Sequence, residues 1–150
     1  MMVEVPSAAV MADEFAAETE FMSIGTNDLV QYTLAVDRSS PELAYLASFF
    51  DPAILRLVRM VIKAGAHHQR PVFVCGAMAS DPLAAILLVG MGLRELSMES
   101  SAIAEIREAI GSVTVAEAEE AAAIALSGDT ARDIERVLLE RFGERLEVGT

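Results

Sequence analysis

Residues 21–38 read Phe21-Met22-Ser23-Ile24-Gly25-Thr26-Asn27-Asp28-Leu29-Val30-Gln31-Tyr32-Thr33-Leu34-Ala35-Val36-Asp37-Arg38. A short apolar run, Phe21–Ile24, is closed by Gly25 and followed at once by polar residues, the pattern of a buried strand that opens into a connection. The same pattern recurs along the chain. Met1–Val5 (MMVEV) is closed by Pro6, Pro71–Cys75 (PVFVC) is closed by Gly76, and Leu93–Met98 (LRELSM) follows the glycines Gly90 and Gly92. Helical patterns separate these runs. Ser7 is placed to cap a helix through Thr19. Asp51-Pro52 opens a helix to His68 with Leu55, Val58, Val61 and Ile62 as its apolar stripe, and Ser80-Asp81-Pro82 opens another, stopped at Gly90 and Gly92. Thr26–Arg38 begins a long connection, Ser39–Pro41 is a turn signal, and Glu42–Phe50 reads as a short helix. Further helices are expected at 101–110, 115–126 and 130–142. Four strand–helix alternations followed by helices predict an α/β fold with a parallel sheet and right-handed crossovers. The uninterrupted apolar runs predict strands buried on both faces.

The 150 residues suit one domain, and 53% hydrophobic against 23% charged residues excludes a disordered chain. No stretch of about 18 apolar residues is free of charge, as a membrane-spanning helix requires. The first twenty residues hold Glu4, Asp13, Glu14, Glu18 and Glu20 and lack the basic start of a signal peptide. A net charge of −12 repels nucleic acid and anionic membranes. The single cysteine, Cys75, excludes an internal disulfide and a multi-cysteine zinc site, and fits a reducing, cytoplasmic compartment. His67 and His68 are neighbours on a helix, where adjacent side chains diverge by about 100°, so they read as a poor metal pair. Neither a dinucleotide-binding GxGxxG nor a P-loop is present.

In parallel α/β folds, chemistry collects at the carboxyl ends of the strands. Glu4 lies in the first strand, Asn27 and Asp28 just past the second, Arg38 at the end of the connection after it, and Cys75 at the end of the third. Glu4 and Asp28 come from successive strands, so one cation has two carboxylates to bridge, a normal arrangement for Mg²⁺. Taken singly, each residue also has a structural reading. Glu4 is then a solvated terminal residue, Asn27-Asp28 a helix cap, Cys75 an inert core residue, and Arg38 a surface partner of Asp37 or Glu42.

Their joint order is more specific. Val3-Glu4-Val5-Pro6-Ser7-Ala8 and the run from Phe21 to Arg38 resemble the C-terminal, PEP-binding domain of Enzyme I. Val74-Cys75-Gly76 and Gly90-Met91-Gly92-Leu93-Arg94-Glu95-Leu96-Ser97-Met98 resemble that family's later motifs, in the same order. Enzyme I is the PEP-protein phosphotransferase of the bacterial sugar phosphotransferase system. The resemblance covers residues 1–110, the motif-bearing part, and weakens in the helical tail, 111–150. It implies a (β/α)₈ TIM barrel of which this chain holds the C-terminal half, about four βα units, followed by C-terminal helices. It implies Mg²⁺, or Mn²⁺ in its place, held by Glu4 and Asp28. It implies that Asn27 and Arg38 contact the PEP phosphate and that Cys75 protonates the enolate of pyruvate. Mg²⁺ and Arg neutralise phosphoryl and enolate charge, and a thiol, mostly protonated at neutral pH, is a reasonable proton donor to carbon.

The family usually carries a Glu two residues after the Cys, where this chain has Ala77, and a serine-alanine after the fourth strand, where it has Glu99-Ser100. The phospho-histidine domain and two further PEP-binding arginines lie outside what this chain matches. The expectation is therefore the PEP-binding part of a phosphotransferase, not competent alone. Its partners are a phospho-histidine domain, a downstream phosphocarrier protein and a second copy, with no nucleic acid and no membrane. The alternative is a non-catalytic, self-associating remnant or interaction domain. The 53% hydrophobic content is high for a chain of 150 residues, and half of a barrel of roughly 250 residues would account for that excess, as surface meant for burial against the other half.

Overall fold

The computed structural model describes residues 1–37 and 43–147. Four short strands, β1 (Met2–Val3), β2 (Met22–Gly25), β3 (Val72–Cys75) and β4 (Glu95–Ser97), form one parallel sheet in the order β1-β2-β3-β4. The order never reverses. Because such crossovers are right-handed, an unreversed order delivers every crossover to the same side of the sheet. A doubly wound sheet reverses its order and carries helices on both sides.

The register shows the consequence. Val3, Ile24, Val74 and Leu96 stand in one row across the four strands, and the first three are fully buried. The rows that face the other way, Met2–Ser23–Phe73–Glu95 and Gly25–Cys75–Ser97, hold mostly exposed or half-buried residues, with Met2 at 50% exposure. Burial on both faces, expected from the apolar runs, thus holds for one face only.

The first crossover is a helix pair, α1 (Pro6–Val10) and α2 (Ala12–Glu18). One helix from Ser7 to Thr19 was the expectation. Val5 instead takes the N-cap position with extended backbone, and Pro6 enters the first turn, where its missing N–H costs nothing. The pair breaks at Met11 (φ −95°, ψ 20°). The second crossover holds α3 (Thr26–Leu34), a 3₁₀ turn at Ala44–Leu46 and α4 (Pro52–His67). The helix expected over Glu42–Phe50 lies partly outside the described residues, and what is described of it is that single turn. The third crossover is a 3₁₀ turn at Ala77–Ser80 and α5 (Pro82–Gly90). α4 and α5 start as expected. Asp51 Oδ1 accepts from the Ala53 N–H at 2.8 Å, and Asp81 Oδ1 accepts from the Ala84 N–H at 2.8 Å.

Three helices follow β4: α6 (Ile103–Gly111), α7 (Val115–Ser127) and α8 (Ala131–Glu147). The acidic tail reads from sequence as a solvated face, yet its other face joins the core. Ala118, Ala121, Ala122 and Ala125 of α7 and Ile134, Leu138 and Phe142 of α8 are buried with α5, whose Leu83–Leu88 stretch is buried throughout. Small residues set the spacing here. A Cβ added at Gly90 would lie 2.0 Å from the Ala118 carbonyl oxygen, so the backbones of α5 and α7 meet only because position 90 has no side chain.

Candidate active site

Two glycines shape the carboxyl end of the sheet. Glu4 follows β1 and lies over Gly25, the last residue of β2. A Cβ at Gly25 would stand 3.0 Å from Glu4 Oε2 and 3.1 Å from Glu4 Cβ. Gly25 is the register partner of Cys75, so the half-buried Glu4 is placed beside the strand pair that ends in the thiol. Gly76 follows Cys75 with φ 101° and ψ −172°, a conformation essentially reserved for glycine. A Cβ there would stand 2.6 Å from Thr26 Oγ1 and 2.9 Å from Asn27 Oδ1.

That close approach ties the turn after β3 to the start of α3. The Thr26 hydroxyl donates to the Cys75 carbonyl at 2.8 Å, and Asn27 Oδ1 accepts from the Ala77 N–H at 2.9 Å. Thr26 is only 1% exposed, and its hydroxyl is satisfied by this bond. The Asn27 bond also fixes the amide: with its oxygen occupied by Ala77, its NH₂ is the end left to donate. The Cys75 thiol points back along the sheet. Its sulfur donates to the Ile24 carbonyl at 3.5 Å and lies 3.7 Å from Ser23 Oγ. Asp28 follows Asn27 in the first turn of α3 and is half-buried, while Asn27 itself is exposed. Asn27 and Cys75 line one cleft of about 640 Å³ with Gly76, Ala77, Ser97 and Glu99.

The structure thus brings Asn27 and Cys75 together, sets Glu4 on the neighbouring strand pair and puts Asp28 one residue from Asn27. Arg38 lies outside the described residues. Sequence reasoning did not single out Thr26, Ser23, Ser97 or Glu99 as parts of this site. Thr26 sits inside the diagnostic run, but its partner is 49 residues away, so its role has no local signal. The two carboxylates supply oxygen donors only, and Gly25 leaves the space that Glu4 occupies. That donor set suits a hard divalent cation such as Mg²⁺ or Mn²⁺.

Among the described residues, another group converges elsewhere. His67 Nδ1 and His68 Nε2 lie 3.0 Å and 3.1 Å from the same Asp13 Oδ1. The two histidines, expected to diverge as a poor metal pair, converge instead. One ring offers its near nitrogen and the other its far nitrogen, so side chains that leave the backbone in different directions still meet at one point.

Comparison with known proteins follows the same lines. Residues 1–115 match the family described as PEP-utilising enzyme, PEP-binding domain, and the chain belongs to that family. It is 44% identical over 142 residues to a phosphoenolpyruvate-protein phosphotransferase of Bacillus subtilis, covering 95% of this chain and 25% of the relative. It is 51% identical over 119 residues to one from Priestia megaterium, covering 79% and 21%. A multiphosphoryl transfer protein of Xanthomonas campestris is 42% identical over 144 residues, covering 96% and 17%. The chain therefore spans about a quarter or less of the length of these relatives. No helix among the described residues is long and apolar enough to cross a membrane.

Proposed function

We propose that this chain is the PEP-binding portion of a phosphotransferase that moves the phosphoryl group of PEP to a protein histidine and releases pyruvate. One observation carries the reading. Asn27 and Cys75 line one cleft past the ends of β2 and β3, while Glu4 lies against Gly25 at the end of β2 and Asn27 against Gly76.

The residues divide the work by chemistry. Glu4 and Asp28 would hold Mg²⁺ or Mn²⁺, which when bound neutralises phosphoryl oxygens and developing enolate charge. Asn27, its oxygen held by Ala77, would present its NH₂ to a phosphate oxygen, and Arg38 would bring a positive charge to the anionic ligand in a chain whose net charge is −12. Phosphorus–oxygen cleavage leaves an enolate, and the phosphoryl group forms a phosphorus–nitrogen bond with the acceptor histidine. The Cys75 thiol delivers its proton to the enolate carbon to give pyruvate, and the thiolate is reprotonated from water. The Ile24 carbonyl and Ser23 hydroxyl hold the sulfur at the strand end. Ala77 contributes only its backbone N–H to this arrangement.

The same reading makes the sheet the C-terminal half of a (β/α)₈ barrel. Unreversed strand order, one-sided burial and an exposed second face are what half of a closed barrel presents. A phospho-histidine domain, a phosphocarrier protein and a cytoplasmic setting complete the proposed system. A titration of Mn²⁺ with a PEP analogue tests the site. Wild type is expected to bind the ion more tightly than Asp28→Ala, and equal affinity of the two proteins would empty the proposed site. The chain alone is expected not to catalyse PEP-dependent protein phosphorylation.

A second reading, a self-associating interaction domain, is favoured by the sheet edges. Among the described residues β1 pairs only with β2, and β4 only with β3. Open edges and an exposed face favour pairing with another copy. Sedimentation at increasing concentration distinguishes a constant monomer from such an assembly.

A further inference from the structure

We propose that Asp13, His67 and His68 form a second metal site, chemically distinct from the carboxylate pair and selective for Zn²⁺ or a similar borderline cation. Asp13 lies in the first turn of α2, and the histidines lie at the end of α4. Helices α1 and α2 both pack on α4, and Ala12 and Ala16 are buried with Ala64 in the same core, so the site joins two elements whose spacing the core fixes. One carboxylate oxygen of Asp13 and one nitrogen of each ring lie within 4.8 Å of one another. A tetrahedral ion with metal–nitrogen and metal–oxygen bonds near 2.0–2.1 Å holds its ligand atoms about 3.3–3.4 Å apart. The two Asp13–histidine separations, 3.0 Å and 3.1 Å, are already close to that edge. The remaining adjustment falls on His67, whose side chain is 72% exposed, while His68 is more deeply set at 25%.

A simple ion pair needs one imidazole. Two rings with centroids 4.6 Å apart, turned so that Nδ1 of one and Nε2 of the other address the same oxygen, make a three-donor face with its outer side open. Two neutral imidazoles and a carboxylate are a zinc donor set, with water in the fourth position. Nitrogen donors select against Mg²⁺, which the all-oxygen pair Glu4 and Asp28 favours. The bound ion would staple α2 to α4, the helices that flank the β1–β2 and β2–β3 crossovers.

Calorimetric titration of the 150-residue protein with Zn²⁺ tests the proposal, with Co²⁺ as a spectroscopic substitute. One saturable Zn²⁺ site is expected, with a raised melting temperature and no displacement by excess Mg²⁺. His68→Ala and Asp13→Ala should each weaken binding by at least about tenfold, and His67→Ala/His68→Ala should abolish it. These side chains lie at the surface, and circular dichroism checks that each variant is folded. Absence of saturable Zn²⁺ binding to wild type, or unchanged affinity in the folded double variant, would overturn the proposal.

Discussion

At the scale of single residues, the glycines differ in what an added side chain would meet. Gly76 has a backbone conformation costly for any other residue and no room for a methyl beside Thr26 and Asn27. Gly76→Ala should destabilise the protein by roughly 1–3 kcal/mol, measured by urea unfolding, and should also weaken binding of a PEP analogue by displacing Asn27. Gly143, inside α8, has open space where a Cβ would go. Gly143→Ala is expected to do the opposite, stabilising by roughly 0.5–1 kcal/mol through reduced backbone entropy in the unfolded chain, seen as a higher urea midpoint. The site residues divide by legibility in the same way. Glu4, Asn27, Asp28 and Cys75 stood out because a polar or sulfur-bearing group at the end of an apolar run is visible in the sequence itself. Thr26 and Ser23 did not, because what gives them a part in the site is a neighbour from β3, reached only after the chain has folded.

Elements begin where the sequence marks them and join where it does not. Asp51-Pro52 and Asp81-Pro82 announced α4 and α5 because a cap bonds to residues two or three positions on. The break between α1 and α2 and the seam between α5 and α7 depend on packing partners, and no local pattern specifies them. At that seam, Gly90→Ala would drive a methyl into the Ala118 carbonyl, and the loss is expected to be at least about 1–3 kcal/mol in thermal unfolding. The entry to α7 is a capping box: Thr114 Oγ1 accepts from the Glu117 N–H at 3.2 Å, and Glu117 Oε2 accepts from the Thr114 N–H at 2.8 Å. Arg145 of α8 adds a third partner at 2.9 Å from Glu117 Oε1.

The Arg145 guanidinium, followed by the Thr114 backbone and hydroxyl, pulls the Glu117 carboxyl from 4.5 to about 2. The folded protein therefore binds fewer protons at this position than the unfolded chain. This contribution to stability is complete above pH 4.5 and is lost as the pH falls through about 2. Glu117→Gln should flatten that part of the stability–pH curve in acid unfolding, and added salt should mimic part of the effect, since both side chains are partly exposed.

For the whole molecule, the class of fold was readable and the coverage of the sheet was not. Four short apolar runs alternating with helices give a parallel sheet by connectivity alone, and the order β1-β2-β3-β4 follows when no crossover reverses. Whether a strand is covered on its second face depends on what stands opposite. For Phe73 and Met2 the amino-acid type is the same whether that partner is another helix, a second half of a barrel or water. Part of the apolar excess lies in the alanine-rich layer of α7, whose small side chains bring helices close together over α5. The open face of the sheet adds little to it, because Ser23, Glu95 and Ser97 stand there beside Met2, Phe73 and Cys75.

The position of α5 has a kinetic consequence. Its stretch Leu83–Leu88 is buried throughout, and it packs against α6, α7 and α8. Its amide protons reach solvent only when that helical layer comes away. In hydrogen–deuterium exchange, the amides of 86–90 should be the last to be replaced, while those of β1 and β4 exchange early from their unpaired sides. The slowest-exchanging segment of the molecule would then lie at the end of α5 remote from the Ala77–Ser80 turn, whose Ala77 and Ser80 border the cleft, so that exchange is expected to quicken along one helix toward the site.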